Sequence, residues 1–272
     1  MTDITDRVRA HYDGPLLVDR IRAALAPVAA EGQPLTVAQL AMLDQFHTRG
    51  ILATAELAGA ADLKAADRVL DLGCGVGGPA RYLASTFGCH VTGVDLSPSF
   101  IEAADYLTAR CGLEDQVTFR VGDALRIPFV NGSFDCVFLQ HVAMNIADRA
   151  AFYAEVRRVL KPGGRFAAYD IVLREGDVVY PAPWARDAST SFLLTAEDTR
   201  AALENAGFTA TLWRDDTQTA LDWFQAVSAS PPPAGPSLGV IMGSDFPAVA
   251  GNLGRNIREG RVGVLSAVLT RD

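Results

Sequence analysis

The chain has 272 residues, 49% of them hydrophobic and 21% charged, a composition typical of folded globular proteins and not of disordered ones. Its 24 Lys and Arg against 32 Asp and Glu give a net charge of −8. This charge argues against a nucleic-acid partner, because no positive field attracts a phosphate backbone. No apolar run reaches the ~18–20 residues that cross a bilayer, and the N-terminus lacks the layout of a signal peptide, so we expect a cytoplasmic protein without a membrane partner.

The first 65 residues are predicted to form a helical leader. Apolar residues recur at helical spacing over 8–12 and 16–30. Thr36 and Gln39 have the spacing of a capping box, which predicts a helix running to about Phe46. Another helix is expected from Ile51. We therefore divide the chain into a leader, 1–65, and a second unit, 66–272.

From residue 66 onward, short apolar runs alternate with helical segments. The predicted strands are 69–72, 90–95, 117–121, 136–140, 165–173, 208–214 and 262–270. Strands separated by helices of this length pair in parallel, which predicts an α/β fold with a doubly wound, mostly parallel, seven-stranded sheet. Segments at about 174–194 and 215–245 interrupt the pattern and are predicted to be lid insertions. The triple proline at 231–233 is expected to be a stiff break.

The most informative segment is the glycine-rich turn after the first predicted strand. It reads Val69-Leu70-Asp71-Leu72-Gly73-Cys74-Gly75-Val76-Gly77-Gly78. Glycines at a strand-to-helix turn let the backbone approach a ligand closely, since no Cβ intervenes. Gly73, Gly75 and Gly78 satisfy the GxGxxG spacing of dinucleotide-binding proteins, but that spacing alone also fits a plain tight turn.

Acidic residues at the ends of three successive strands narrow the choice of ligand. Asp71 stands at the strand edge where open α/β sheets bind ligands, and its carboxylate would repel a diphosphate but suits an ammonium group. Asp95 ends the second strand 22 residues after Gly73, where it can accept ribose hydroxyls or cap the next helix. Asp123 can accept from an adenine amino group or form a turn. S-adenosylmethionine (SAM), which is cationic and has no phosphate, therefore fits better than NAD.

The ordered motifs over about 66–172 resemble those of class I SAM-dependent methyltransferases, which have a Rossmann-like fold. The motifs are the glycine-rich turn, Val94-Asp95-Leu96-Ser97, Gly122-Asp123-Ala124, Phe134-Asp135-x-Val137 and Arg158-Val159-Leu160-Lys161-Pro162-Gly163-Gly164. The segments 77–83, 140–146 and 44–50 are most similar to the small-molecule group that contains sarcosine and dimethylglycine methyltransferases. The leader does not resemble that of the ubiquinone and menaquinone methyltransferases, so a quinone acceptor is not expected.

The resemblance implies which residues hold the donor. The matching positions are Asp71, Gly73 and Gly75 for the methionine part, Asp95 and the Leu96 backbone for the ribose, and Asp123 and Ala124 for the adenine. It also implies that Gln140 and His141, after the fourth strand, face the donor pocket.

Methyl transfer from a sulfonium is an in-line displacement that depends mainly on alignment and exclusion of water. An amine acceptor needs only its neutral form, whereas a phenol or carbon acid needs a base. His141 is the first candidate for a base or acceptor-orienting group, with a hydrogen bond to a loop carbonyl as its alternative role. His47 and Tyr12 become candidates if the leader folds over the pocket, although His47 also fits an ordinary helix surface.

Other polar and aromatic residues are weaker candidates. Asp170 is considered as a site group, whereas His11 and His90 are expected at the surface. Four aromatic residues outside the predicted strands fit either an acceptor lid, with cation–π contact to an ammonium, or the core: Trp184, Phe192, Trp223 and Phe224.

The four cysteines show no CxxC spacing and the chain has only four histidines. Reduced structural thiols are therefore expected in place of a disulfide framework, and no metal site is predicted.

The sequence thus predicts an enzyme, a SAM-dependent methyltransferase acting on a small-molecule acceptor, with an amine nitrogen slightly favoured over oxygen or carbon. One alternative is an NAD-dependent oxidoreductase, which would need a second mononucleotide half. Another is a SAM-binding module without turnover. The apolar leader helices suit either a pocket cover or a twofold interface, so a homodimer is a further prediction.

Overall fold

The computed structural model describes residues 4–12, 14, 16–230 and 235–272. Four helices precede the sheet, and their bounds are α1 Ile4–Tyr12, α2 Leu17–Leu25, α3 Val37–Asp44 and α4 Ile51–Ala60. The predicted capping box is present, since the Thr36 hydroxyl accepts from the Gln39 amide while the Gln39 side chain accepts from the Thr36 amide. Two helices are shorter than predicted: α2 ends at Leu25 instead of residue 30, and α3 ends at Asp44, before Phe46.

Strands and helices alternate through the rest of the chain. The strands are β1 Arg68–Leu72, β2 His90–Asp95, β3 Val117–Val121, β4 Phe134–Gln140, β5 Leu160–Leu173, β6 Phe208–Asp215 and β7 Val262–Arg271. The helices are α5 Gly78–Phe87, α6 Pro98–Cys111, α7 Arg149–Val159, α8 Ala196–Asn205, α9 Thr217–Ala229, α10 Gly239–Met242 and α11 Phe246–Arg258. The predicted break at 231–233 lies outside the described residues.

The sheet has seven strands in the order β3-β2-β1-β4-β5-β7-β6. Only β7 runs against its neighbours, pairing antiparallel with β5 and β6, and the other pairs are parallel. The predicted doubly wound, mostly parallel sheet is therefore confirmed. Because β2 and β3 extend to one side of β1 and β4 to the other, the strand order reverses between β1 and β4, and the crevice at their carboxyl ends is where such sheets bind ligands.

Three strands begin earlier than predicted, β1 by one residue, β4 by two and β5 by five. β5 starts at Leu160 instead of Arg165 and includes the Pro162-Gly163-Gly164 segment. Its register against β4 shifts between the Phe134–Leu160 pair and the Cys136–Arg165 pair. A bulge accommodates the extra residues in a strand, so proline and glycine here mark an irregular strand entry and not a separate turn.

Apolar side chains form a core on each face of the sheet. Val69 packs with α4, α5 and α11 on one face, while its neighbour Leu70 packs with α7 and α8 on the other, as the alternation of strand side chains requires. A third cluster joins α2 and α3 of the leader to α6 and α10. The cysteines are free thiols, three of them buried.

Candidate active site

A cavity of about 670 Å³ lies at the carboxyl edge of β1, β2 and β4. Its floor is the sheet edge with the glycine-rich turn, and its walls come from α1, α9, α10, α11 and the loop around Pro183. The resemblance assigned eight residues to the donor site, and all of them line this cavity: Asp71, Gly73, Gly75, Asp95, Leu96, Asp123, Ala124 and Gln140. His141, His47 and Tyr12 line it too.

The glycine-rich turn is pressed from two sides by other segments. At Gly73, where φ is +76°, an added Cβ would lie 2.3 Å from Val142 Cγ2 in the loop after β4. At Gly78 an added Cβ would lie 2.2 Å from the backbone oxygen of Asp44 in the leader. Side chains at these positions would displace the backbone, which explains why glycine is needed there.

Asp71 places a buried carboxylate in the cavity wall. The residue is 2% exposed and accepts a hydrogen bond from the Ala80 backbone. Its Oδ2 atom has no hydrogen-bond partner among the described residues. Burial, and then the nearby Asp95, raises the pKa of Asp71 to about 7. A buried acceptor without a partner is costly, and a cationic ligand group would supply the missing partner.

Asp95 holds the glycine-rich turn in place. Its Oδ2 accepts from the Gly75 amide at 2.9 Å and its Oδ1 from the Ser97 amide at 2.9 Å. The cap of α6 is Ser97, whose hydroxyl accepts from the Phe100 amide, so the alternative interpretation of Asp95 as the helix cap is wrong. Burial raises the pKa of Asp95, and its three backbone hydrogen bonds oppose that rise.

Asp123 lies at the rim of the cavity in a tight turn. Its Oδ1 accepts from the Leu125 amide at 2.8 Å, as the turn-forming alternative predicted. Asp123 also lines the cavity beside Ala124, and its contact with an adenine amino group stays a prediction.

Gln140 contributes a second unpartnered polar atom. Its Oε1 accepts from the Thr54 hydroxyl at 3.2 Å, while its buried Nε2 has no partner among the described residues. Two residues of the cavity wall, Asp71 and Gln140, thus each carry a buried polar atom without a partner among the described residues, a carboxylate oxygen and an amide donor. This pair suits a ligand that carries both an ammonium and a carboxylate.

His47 is not on the surface of a leader helix, contrary to one of the two interpretations. It follows the end of α3 and is 4% exposed. Its Nε2 lies 2.9 Å from the Gly50 carbonyl and 3.0 Å from the Thr54 hydroxyl. Burial lowers the pKa of His47 to about 4, so the ring is neutral and one nitrogen is engaged within the protein.

His141 occupies a left-handed backbone position, φ 56°, directly after β4. Its ring stacks on Tyr169, with centroids 5.6 Å apart and planes at 7°. Its Nε2 lies 3.4 Å from the Thr48 hydroxyl, so its side-chain partner is a hydroxyl and not the loop carbonyl of the alternative interpretation. Burial, and then His47, holds the pKa of His141 well below its usual value, which leaves a neutral imidazole facing the cavity.

Tyr12 ties the leader to the loop after β4. Its hydroxyl donates to Asn145 Oδ1 at 3.0 Å, and Asn145 Nδ2 donates to the carbonyls of Trp184 and Thr190. Burial raises the pKa of Tyr12 above its usual value, with Asp95 and Asp170 adding to the rise. Asn145 was not singled out from the sequence, although it lies within the 140–146 segment that carries the resemblance.

Asp170 lies behind the cavity wall. Its Oδ2 accepts from the Ala143 amide and its Oδ1 from the Ile171 amide, both at 2.8 Å. Burial raises its pKa to about 6. Asp170 thus shapes the loop that carries His141 without lining the cavity.

The remaining candidates are four aromatic residues and two histidines, and only some of them line the cavity. Trp184, Trp223 and Phe224 line the cavity, whereas Phe192 does not. His11 is part-buried with Nε2 3.1 Å from the Pro183 carbonyl, so its assignment to the surface is wrong, because α1 packs on that loop. His90 is exposed as expected.

Sequence reasoning missed the ion pair that joins the leader to the glycine-rich turn. Arg81 Nη2 lies 2.9 Å from Asp44 Oδ2, and both side chains are fully buried. Arg81 also donates to the Thr108 hydroxyl and to the Val76 carbonyl. Both charged residues lie within the segments that carry the resemblance, yet a spacing of 37 residues gives no sign that they meet.

Comparison with known proteins finds similarity to methyltransferases. A family model described as a methyltransferase domain matches residues 70–168. The methyltransferase GfsG of Streptomyces halstedii is 39% identical over 159 residues, which cover 58% of this chain and 53% of GfsG. The chain spans about half the length, or less, of the curated relatives it matches.

Solved structures share the fold over nearly the whole chain. Geranyl diphosphate C-methyltransferase from Streptomyces coelicolor has a TM-score of 0.72 at 16% identity, covering 100% of this chain and 99% of that one. A sarcosine dimethylglycine methyltransferase-like structure from Galdieria sulphuraria has a TM-score of 0.63 at 17% identity, covering 93% and 98%.

These matches and the sheet topology confirm the predicted Rossmann-like methyltransferase fold. Residues 70–168 match the methyltransferase-domain model, and the relative and solved structures named above are methyltransferases by name. No helix within the described parts of the chain is long and apolar enough to span a bilayer.

Proposed function

We propose that this protein transfers a methyl group from SAM to a small-molecule acceptor by in-line displacement. The observation that carries the proposal is the buried carboxylate of Asp71 in the wall of a cavity at the sheet's switch point, with no partner for its Oδ2 among the described residues. Its pKa of about 7 leaves it able to ionise fully when a cation binds beside it. Bound SAM supplies an electrophilic methyl group on its sulfonium.

The cavity residues divide the work of binding the donor. Asp71, with the glycine turn at Gly73 and Gly75, would hold the methionine part, and the Gln140 amide would meet its carboxylate. Asp95 and Leu96 would bind the ribose of the donor, and Asp123 and Ala124 its adenine. All four residues line the cavity.

Asp71 also separates this proposal from an NAD-dependent oxidoreductase. Its carboxylate at the glycine-rich turn would face a dinucleotide's diphosphate, a repulsion that favours the phosphate-free donor, whereas Asp95 suits the ribose of either ligand. The antiparallel β7 between β5 and β6 further departs from the two matched parallel halves of a dinucleotide-binding sheet.

On the acceptor side, His141 and Tyr12 would act on the reacting atom. A neutral His141 can accept a proton from a hydroxyl acceptor or orient a neutral amine, and Tyr12, fixed by Asn145, would limit how the acceptor sits. His47 would support the site through Thr54 and Gln140. An amine nitrogen remains the favoured acceptor atom, because it needs no proton transfer before attack.

Calorimetry with S-adenosylhomocysteine tests the donor assignment. We expect Asp71→Ala to weaken binding at least about thirtyfold, because the ammonium loses a buried charge partner. Asp19→Ala, which removes an exposed carboxylate from α2, should leave binding unchanged. Equal affinity of wild type and Asp71→Ala, with unchanged circular dichroism, would contradict the proposal.

Turnover separates an enzyme from a binding module. We expect the protein with SAM to form S-adenosylhomocysteine when supplied with a panel of amines, phenols and carbon acids. Tight donor binding without product from any acceptor class would instead support a module without turnover. The predicted homodimer is tested by sedimentation velocity.

A further inference from the structure

The cavity has a second half, away from the sheet, whose walls are mostly apolar. Three helices that approach it from outside the sheet supply most of this wall. Their lining side chains are Ile4, Thr5, Val8 and Tyr12 of α1, Trp223, Phe224, Val227 and Ser228 of α9, and Phe246, Pro247, Ala250, Leu253 and Arg258 of α11. Arg258, the only charged residue among them, is exposed and lies in the last turn of α11.

One face of α11 forms a continuous part of this wall. Its lining positions recur every three or four residues from Phe246 to Arg258, which is the spacing of a single helix face. Gly254 lies where α9 packs, since an added Cβ there would be 3.6 Å from Phe224 Cδ1.

Gly251, one turn earlier, differs from Gly254 in its surroundings. An added Cβ at Gly251 would meet no heavy atom of the described residues within 4 Å, although the residue lines the cavity. Apart from proline, glycine is the least favourable residue in a helix interior, and no neighbouring atom in the described parts of the chain requires it here. Gly251 is exposed, so the space in front of it is the open end of the cavity.

We propose that the methyl acceptor is a bulky, largely apolar molecule whose body lies between α9 and α11, and that Gly251 sets the size it can have. The inference rests on the proposed function and adds the class of acceptor. A compact zwitterion of the sarcosine type would leave this apolar wall without contacts, whereas an apolar body gains affinity with each buried methylene. The reacting nitrogen, oxygen or carbon would project from that body toward His141.

Binding of simple apolar alcohols tests the wall directly. The probes are hexanol, octanol and decanol, titrated by calorimetry into protein saturated with S-adenosylhomocysteine so that only the acceptor half is free. For wild type we expect affinity to rise about fifteenfold for each pair of added methylenes. Sarcosine, as the polar probe, should bind more weakly than any of the alcohols.

A substitution at Gly251 locates the effect. We expect Gly251→Leu to weaken decanol binding at least about tenfold while changing hexanol binding less than about twofold. The leucine side chain would fill the end of the cavity beside Gly251, which only the longer alcohol reaches. Gly59→Leu is the matched control: Gly59 lies in α4, has no heavy atom within 4 Å of an added Cβ and does not line the cavity. This control should bind all three alcohols like wild type.

The outcomes separate the two proposals. Affinities that do not depend on chain length, sarcosine binding tighter than decanol, or Gly251→Leu binding decanol like Gly59→Leu would each overturn the apolar-acceptor proposal. Failure of S-adenosylhomocysteine to bind wild type would overturn the proposed function instead. In that case the alcohol titrations are repeated without it and still decide whether the wall binds apolar molecules.

Discussion

At the residue scale, the buried carboxylate of Asp71 is costly in the ligand-free protein, and a bound cation would remove part of that cost. A carboxylate that is 2% exposed and has one oxygen without a partner among the described residues is held at a pKa of about 7, roughly three units above its usual value. Asp95, the next acidic side chain, adds to the rise. In the ligand-free site the ionised form of Asp71 is therefore unfavourable, and a bound cation would stabilise it.

The raised pKa predicts a pH dependence of donor binding. Below about pH 7 the ligand-free Asp71 is protonated, so a cationic donor must displace a proton, and affinity should fall up to about tenfold per pH unit. Above about pH 7 the affinity should level off. Calorimetry with S-adenosylhomocysteine between about pH 5.5 and 8 measures the profile, and Asp71→Asn, which cannot ionise, should lose its inflection near pH 7. An unchanged inflection in the variant would assign the titration to another group.

The same group affects stability with a definite sign. Because the folded-state pKa of Asp71 lies above the unfolded value, the folded protein binds its proton more tightly, and this contribution is lost as pH rises from about 4 to about 7. The loss is roughly 4 kcal/mol at most for a shift of three units. Ligand binding offsets it by restoring a partner to the carboxylate.

At the element scale, the leader is fastened to the sheet domain by a fully buried ion pair. Asp44 ends α3 and Arg81 lies in α5, and the two join where the leader backbone presses on Gly78. Burial raises the pKa of Asp44, while Arg81 opposes the rise. The pair fixes the leader against the glycine-rich turn and so places Tyr12 and His47 at the cavity.

Removing one partner of this pair should be strongly destabilising. We expect Arg81→Met to lower the free energy of unfolding by about 3–5 kcal/mol, since Asp44 would remain buried without its cation. Arg200→Met, which breaks an exposed pair with Glu204 on α8, should cost less than about 1 kcal/mol. Urea denaturation measures both, and comparable losses would show that the buried pair is not what fastens α3 to α5.

At the scale of the whole molecule, the cavity is assembled from three separate parts of the chain. The leader, the sheet edge and the late helices α9 to α11 each contribute a wall. A ligand that bridges them binds only the folded arrangement, so it should stabilise the chain as a unit.

We expect S-adenosylhomocysteine, at a free concentration one hundred times its dissociation constant, to stabilise the protein by about 2.7 kcal/mol. For a chain of this size that corresponds to a rise in melting temperature of roughly 5–10 °C. Differential scanning calorimetry measures it, with NAD at the same concentration as the control. A larger shift with NAD than with S-adenosylhomocysteine would favour the oxidoreductase alternative.

Local sequence patterns predicted the parts of the site that lie on contiguous segments. Asp71 and the glycines after it, Asp95 and Asp123 each follow a strand directly, and parallel strands bring such carboxyl ends to one edge. The residues of the proposed donor half were therefore readable once the strands were recognised, because strand and turn signals depend on near neighbours.

Only the tertiary structure showed which residues contact each other when they are far apart in the sequence. The pairing of Asp44 with Arg81, the burial of His47, the contact of Tyr12 with Asn145 and the open space before Gly251 join residues whose spacing carries no periodic signal. The sequence by itself determined the class of fold and the acidic side chains of the proposed donor pocket. The shape and polarity of the acceptor half required the packed molecule, because they depend on how the leader and the late helices lie against a sheet that neither adjoins in sequence.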